Sequence, residues 1–306
     1  MKKSRLLVGL ASALTLGMLA AGCGGGGGES GSGGGTLTLG NIGWDENIAL
    51  SNLTKVALEE ELGYDEVELT TLDVGPLFQG VSSGDLDAFQ DVWLPNHDDY
   101  LSQVEENVEL LDPWYESETR YGIAVPDYMD NIRSLADLNE AGVDQITGIE
   151  PGAAFHAQIR DEVIPTYNLD LTLAESSTPA MLAELERAYE NEEPIVFLGW
   201  SPHWMNDRYD FHYLEDPENA QGDFDEPSQL RSIVRADLQE DDPVAYAFLS
   251  AVTMNEDEMN NLQDMIQEEG PDDPTAGAAA WMEENRDVVD PWIEAGRQAQ
   301  EQARAE

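Results

Sequence analysis

The sequence predicts a two-lobed α/β protein. Each lobe is a central, mostly parallel sheet with flanking helices, and a hinged cleft separates the two. Three observations carry this reading. A strand–helix–strand–helix–strand alternation runs from Thr36 to Trp93 and recurs from Tyr121 to Gly199, the pattern of a parallel sheet with crossover helices. The two runs end alike, in Asp91-Val92-Trp93-Leu94-Pro95-Asn96-His97 and in Leu198-Gly199-Trp200-Ser201-Pro202-His203, each with a tryptophan two residues ahead of a proline. Upstream of each lies a second matched pair, Leu39-Gly40-Asn41-Ile42-Gly43-Trp44-Asp45 and Ile146-Thr147-Gly148-Ile149-Glu150-Pro151-Gly152. The spacing nearly repeats: Trp44 and Trp93 are 49 positions apart, Glu150 and Trp200 are 50.

The elements follow in order. Residues 1–22 pair a basic start (Lys2, Lys3, Arg5) with an apolar run too short to span comfortably and ending in small residues, which reads as an export signal. The only cysteine, Cys23, stands after Leu19-Ala20-Ala21-Gly22, which resembles a bacterial lipobox. That resemblance implies cleavage before Cys23, lipidation of its sulfur and a lipid anchor on the extracytoplasmic face of the cell membrane. With no second cysteine, no disulfide within the chain is expected. Residues 23–35 are Gly/Ser-rich and read as a disordered tether with a reach of roughly 20 Å.

The first lobe is expected over 36–121. Thr36–Ile42 reads as a strand and Ile48–Leu62 as an amphipathic helix stopped by Gly63. Val67–Leu72 is a second strand. Pro76 is expected to open a helix at its first position, Gly84 to end it, and Asp87–Trp93 to form a third strand. The second lobe is expected over 122–212. Its strands are Tyr121–Val125, Gln145–Ile149, Asp170–Ala174 and Pro194–Gly199. Its helices are Leu135–Ala141, one beginning near Ala153, and Met181–Asn191 opened by Pro179. Residues 213–306 return to the first lobe and are read as mostly helical, over Pro243–Thr253, Glu256–Glu269, Ala276–Glu284 and Val288–Ala303, the last with Pro291 in its first turn. Crossings between lobes are placed near Tyr121–Pro126 and Asp210–Asp216, and two crossings make a hinge.

A chain of 306 residues with 41% hydrophobic content is long enough for two real cores. Its net charge of -49 repels nucleic acid and anionic headgroups. The acidic residues are scattered through every predicted helix. They read as a solvated surface adapted to high salt, a halophilic trait, rather than as a binding face. No metal or cofactor motif stands out: HExxH spacing, a calcium loop, a phosphate loop and a G-x-S-x-G nucleophile are all missing from the sequence.

The cleft carries the functional reading. In open α/β sheets ligands sit beyond the carboxyl ends of the strands. Trp44, Trp93, Trp200 and the Glu150–Phe155 turn all follow predicted strands, so they are expected to converge. Most tryptophans pack in cores; placement at strand exits, beside prolines and polar residues, sets these three apart. Trp114, Trp204, Trp281 and Trp292 are read as packing, His203 as a loop brace, and His156 and His212 as surface or supporting positions. A cation over an indole face gains roughly 0.5–2 kcal/mol. A methylated ammonium is weakly hydrated and also buries methyl groups, so a neutral aromatic box, needing no acid, selects it over sodium or potassium. The Glu150-Pro151-Gly152-Ala153-Ala154-Phe155 turn ends a strand and starts a helix, so free N–H groups and the positive dipole end suit a carboxylate. His97, on the Trp93 loop, is a further candidate donor. Box and nest together describe a betaine.

These segments resemble the substrate-binding proteins of glycine betaine ABC importers, the OpuAC-like family. The likeness is carried by Gly43-Trp44-Asp45-Glu46-Asn47-Ile48-Ala49, Asp73-Val74-Gly75-Pro76, Trp93-Leu94-Pro95-Asn96-His97, Gly148-Ile149-Glu150-Pro151-Gly152-Ala153 and Gly199-Trp200-Ser201-Pro202-His203-Trp204. It covers about residues 36–290. It implies a periplasmic-binding-protein-like fold of type II, no enzymatic activity, no cofactor, and a monomer that hands its ligand to a membrane permease with its ATPase for osmoprotection. It implies that Trp44, Trp93 and Trp200 form a prism around the trimethylammonium. It further implies that the amides of Ala154 and Phe155 hold the carboxylate, with Ala153 and His97 as further candidates. This chain reads Gly152-Ala153-Ala154-Phe155 where the family's turn usually keeps a glycine, and has one residue fewer before His97. Choline, carnitine or proline betaine are alternative ligands. A secreted hydrolase with aromatic sugar platforms is the alternative from another class, for which Asp45, Glu46 and Glu150 would have to supply paired carboxylates.

Overall fold

The computed structural model describes residues 34–270 and 273–305. The 1–22 segment, Cys23 and nearly all of the 23–35 stretch lie outside the described residues. The chain begins with β1 (Thr36–Asn41), α1 (Asp45–Glu61), β2 (Glu66–Thr71), α2 (Val74–Ser83), β3 (Ala88–Leu94), the short α3 (Asp98–Leu101) and β4 (Val108–Leu110). It continues with β5 (Arg120–Pro126), a 3₁₀ turn at Leu135–Glu140, β6 (Gln145–Thr147) and α4 (Ala154–Gln158). A π turn at Ile159–Val163 leads to α5 (Ile164–Thr166), β7 (Thr172–Ala174), α6 (Thr178–Asn191), β8 (Phe197–Ser201), α7 (Met205–Arg208) and β9 (Phe211–Tyr213). The last part holds β10 (Gln229–Arg235), α8 (Leu238–Asp241), α9 (Pro243–Ala251), α10 (Glu256–Glu269), α11 (Pro274–Glu284) and α12 (Arg286–Ala303).

Two five-stranded sheets result, ordered β2-β1-β3-β10-β4 and β7-β6-β8-β5-β9. They are built alike. In each, three strands run parallel, as the alternation predicts, and two further strands add antiparallel, so both sheets are mixed. β1 corresponds to β6 and β3 to β8. The matched sequence pairs therefore occupy equivalent places: Trp44 and Glu150 follow the corresponding strands β1 and β6, and Trp93 and Trp200 lie near the ends of β3 and β8.

Hydrophobic burial explains the elements. β3, central in its sheet, is buried along nearly its whole length, whereas β2 at the edge buries only Val67. α1 covers the first sheet with Leu50, Leu53, Val56, Ala57 and Leu58, each 2% exposed or less. Its packing with α11 and α10 encloses it on the other side. Gly84 closes α2 with φ 77°, the left-handed conformation that glycine adopts without a Cβ penalty. Ser177 caps α6, and Asn255 with Glu258 forms a reciprocal capping box on α10.

Several expectations need correction. Pro76 is the third residue of α2, not the first, because Asp73 takes the N-cap position. Pro291 lies inside α12, which begins at Arg286, two residues earlier than expected, and so is its sixth residue. The helix expected near Ala153 is present as α4, with Ala153 as its N-cap. Three strands escaped the sequence reading. β4 and β9 are three residues long, too short for an alternation to register, and β10 lies in the part read as helical. Tyr121–Pro126 and Phe211–Tyr213 are strands of the second sheet. The crossings therefore fall between β4 and β5 and between β9 and β10.

Candidate functional site

The strand exits converge on one cavity between the sheets. Trp44, the N-cap residue of α1, Trp93 on β3 and Trp200 on β8 line it, with His97, Ala153 and Ala154. The space among these residues, open solvent at its mouth included, is about 350 Å³. The three indoles are each 5% exposed or less. Phe155 does not line the cavity: its ring stacks on Phe224 at 4.7 Å and lies 4.9 Å from Tyr121, while its amide is the second of α4. Among the described residues the amides of Ala154 and Phe155 have no backbone or side-chain acceptor, as expected for the first turn of a helix.

All three indole N–H groups are engaged by carboxylates. Trp44 Nε1 donates to Glu150 Oε2 at 3.2 Å, Trp93 Nε1 to Asp91 Oδ1 at 2.9 Å, and Trp200 Nε1 to Glu46 Oε2 at 3.0 Å. With their polar edges occupied, the rings have only carbon to offer a ligand, and their π faces are its electron-rich part. Two of these bonds cross the cleft in opposite senses, each lobe's acid holding the other lobe's indole. Glu150 is itself anchored by the Thr178 N–H and hydroxyl at 2.7 and 2.8 Å. Further bonds join the lobes: Tyr100 Oη donates to the Gly152 carbonyl at 2.8 Å, and Trp204 Nε1 to Asp45 Oδ1 at 2.6 Å. The His203 ring lies 3.2 Å from Asp45 Oδ2 and packs edge-on against Trp200, so it braces the loop.

The expectation of a cage without acids does not hold. Glu46 is on the cavity wall and Asp91 lies close behind it, both fully buried. Burial, then the neighbouring Asp91 charge, pushes the Glu46 carboxyl well above the usual carboxylate range, although the Trp200 N–H works the other way. Burial likewise lifts Asp91 to about 7, against the pull of the Trp93 N–H. Such a pair retains a proton near neutrality, which lowers the negative charge that the cavity presents. Burial would also raise Asp45, but the His203 imidazole and the Trp204 N–H outweigh it and hold that carboxyl low.

His97 has a defined tautomer. Its Nδ1 accepts the Trp93 backbone N–H at 3.1 Å, and burial lowers its pKa to about 3. A neutral ring accepting at Nδ1 carries its proton on Nε2. His97 also stacks on Trp44 with centroids 5.8 Å apart.

Five wall residues were not among the expected betaine contacts: Glu46, Asn96, Tyr121, Ile149 and Phe224. Tyr121 pairs with Trp200 across β5 and β8 and lies 6.2 and 6.4 Å from Trp93 and Trp200. An aromatic opening the strand beside Trp200 was its signal. Phe224 arrives on an irregular return segment and gave none. Of the remaining tryptophans, Trp114, Trp281 and Trp292 are core, and Trp204 packs at the cleft edge.

Comparison with known proteins adds an independent line. The family model described as the substrate binding domain of ABC-type glycine betaine transport systems matches residues 35–284. The glycine betaine/carnitine transport binding protein GbuC of Listeria monocytogenes serotype 1/2a (strain 10403S) is 35% identical over 161 residues, 52% of each chain, so the match spans about half of that relative. Lactococcal OpuAC, solved in a closed conformation with glycine betaine, is 32% identical with a TM-score of 0.76, covering 84% of this chain and 99% of that one. The glycine betaine, L-proline binding protein ProX from Borrelia burgdorferi is 26% identical with a TM-score of 0.77, covering 87% and 99%. An ABC-transporter choline binding protein in complex with choline is 25% identical with a TM-score of 0.76, covering 88% and 97%.

Proposed function

The chain belongs to the family of substrate binding domains of ABC-type glycine betaine transport systems, and from that premise we propose that it captures glycine betaine outside the cytoplasm and delivers it to a membrane permease with its ATPase, supporting osmoprotection. It carries out no reaction on its ligand. The observation that carries this reading is the cavity's two-ended chemistry. Three indoles with engaged N–H edges supply faces for a trimethylammonium group. The Ala154 amide and the His97 Nε2–H on the wall supply donors for a carboxylate, and the unpaired Phe155 amide follows directly behind on α4.

Choline offers only the first half. It would leave the amides facing it unpaired, at a cost of about 1–3 kcal/mol. Carnitine and proline betaine carry both groups and differ in bulk. The crossed Trp44–Glu150 and Trp200–Glu46 bonds complete the box only when the lobes close, so closure and capture are one event. Against the hydrolase alternative, Asp45, Glu46 and Glu150 each accept an indole N–H, from Trp204, Trp200 and Trp44, so none of the three is a free carboxylate. Anchoring through Cys23 remains part of the proposal, resting on the sequence.

Titration calorimetry on the purified chain tests the reading. Glycine betaine should bind one-to-one and choline at least about tenfold more weakly. Trp44→Ala, Trp93→Ala and Trp200→Ala should each weaken glycine betaine by roughly tenfold or more. Wild-type affinity in the triple alanine variant would refute the box.

A further inference from the structure

Two buried histidines, His97 and His203, pack against indoles of the box; a third, His156, has no such ring contact among the described residues. It is the third residue of α4, directly after the unpaired amides of Ala154 and Phe155. At 1% exposure it is buried, although it does not line the cavity. The helical stretch it belongs to runs unbroken from Ala154 to Thr166. Its ring turns back to the exit of β6. There the Thr147 N–H goes to the Val196 carbonyl on one side and the Gly148 N–H to the Ala174 carbonyl on the other. The next N–H, that of Ile149, leaves the sheet and is accepted by His156 Nε2 at 3.3 Å. A Cβ on Gly148 would stand 2.8 Å from His156 Nε2, so the ring reaches the strand only because the backbone there carries no side chain.

Burial lowers the pKa of His156 to about 4, so the ring is neutral near pH 7. A neutral ring that accepts at Nε2 carries its proton on Nδ1. That atom is buried with no partner among the described residues, a cost that an aliphatic side chain in the same place would avoid. The Ile149 bond is what the histidine supplies there. It ties together two pieces of cavity wall, Ile149 and Ala153–Ala154, and closes residues 149–156 into a loop of fixed shape. We propose that His156 is a positioning residue for the ligand's carboxylate: through Ile149 it holds the first-turn amides of α4 in a fixed place relative to the aromatic box. This rests on the betaine reading of the cavity. The box itself does not depend on it, because Glu150, which holds Trp44, is anchored separately by Thr178. His156 acts on the carboxylate end alone.

The test is calorimetric titration of His156→Leu and His156→Gln with glycine betaine and with choline, beside the wild type. Leucine fills the space and accepts nothing; the Oε1 of glutamine falls close to the Nε2 position and accepts the Ile149 N–H. His156→Leu should weaken glycine betaine about tenfold and choline by less than about threefold. His156→Gln should stay within about threefold of the wild type for both ligands. Should the leucine variant not fold, Gly148→Ala, which pushes the ring off the strand, carries the test and should show the leucine pattern. Three results would overturn the assignment: wild-type affinity for glycine betaine in the leucine variant, an equal loss of both ligands, or a glutamine variant as weak as the leucine one. A merely structural histidine would not distinguish the two ligands. A wild-type protein that binds glycine betaine no more tightly than choline would instead overturn the betaine reading, and this inference with it.

Discussion

Asp91 is where the site can be perturbed without altering its walls. It is wholly buried on β3, its Oδ1 takes the Trp93 N–H at 2.9 Å, and its Oδ2 has no partner among the described residues. Burial raises its pKa from 3.8 to about 7. Roughly three pH units at about 1.4 kcal/mol each make a differential on the order of 4 kcal/mol. The folded chain holds this proton more tightly than the unfolded chain does. Stability should therefore fall as the pH rises from about 4 to about 7, with the full cost of the buried charge present above that window. Asp91→Asn keeps an oxygen for the Trp93 N–H and has no charge to bury. It should match the wild type near pH 4 and exceed it by about 2–4 kcal/mol at pH 8, the lower figure allowing for relaxation and water entry. Urea denaturation of the ligand-free proteins from pH 4 to pH 8, in molar salt, measures this. The wild-type-minus-variant difference removes the repulsion common to both acidic surfaces. A difference that stays flat with pH, or an asparagine variant less stable at pH 8, would refute the reasoning.

Two glycines offer further tests that separate closure from stability. A Cβ on Gly43 would stand 2.7 Å from Glu150 Oε1, an atom already tied to the Thr178 N–H. Gly43→Ala should therefore weaken glycine betaine about three- to tenfold in calorimetry by disturbing the Trp44–Glu150 contact, while the melting temperature of the ligand-free protein stays put. A Cβ on Gly277 would come within 2.6 Å of the Ile266 Cα, a backbone atom that cannot swing aside. Gly277→Ala should lower unfolding stability by about 1–3 kcal/mol by forcing α10 and α11 apart, with affinity unchanged; denaturation and titration on one sample check both.

The residues themselves contained the repeat, and from it the paired sheets. Alternating strand and helix patterns, prolines near helix starts and Gly84 at a helix end are local signals, readable because each depends on a few adjacent residues. Trp44, Trp93, Trp200, His97, Ala153 and Ala154 were legible as cavity residues for the same reason: a strand exit is a local feature, and the topology of α/β sheets sends strand exits to a shared edge. The short strands β4 and β9 were not, since three residues leave no period to detect.

What only the tertiary structure decided is how side chains from distant stretches meet. Glu46 and Asp91 each look like one more member of a dispersed acidic surface. Folding buries them side by side, where burial raises both carboxyls and each accepts an indole N–H. Glu150 finds Trp44, and Glu46 finds Trp200, across separations of 106 and 154 residues. Tyr121 and Phe224 complete the wall from segments with no motif of their own. The chemistry each residue brings is written in its type, but burial and charge proximity depend on every atom packed nearby, and those exist only once the lobes have folded and met.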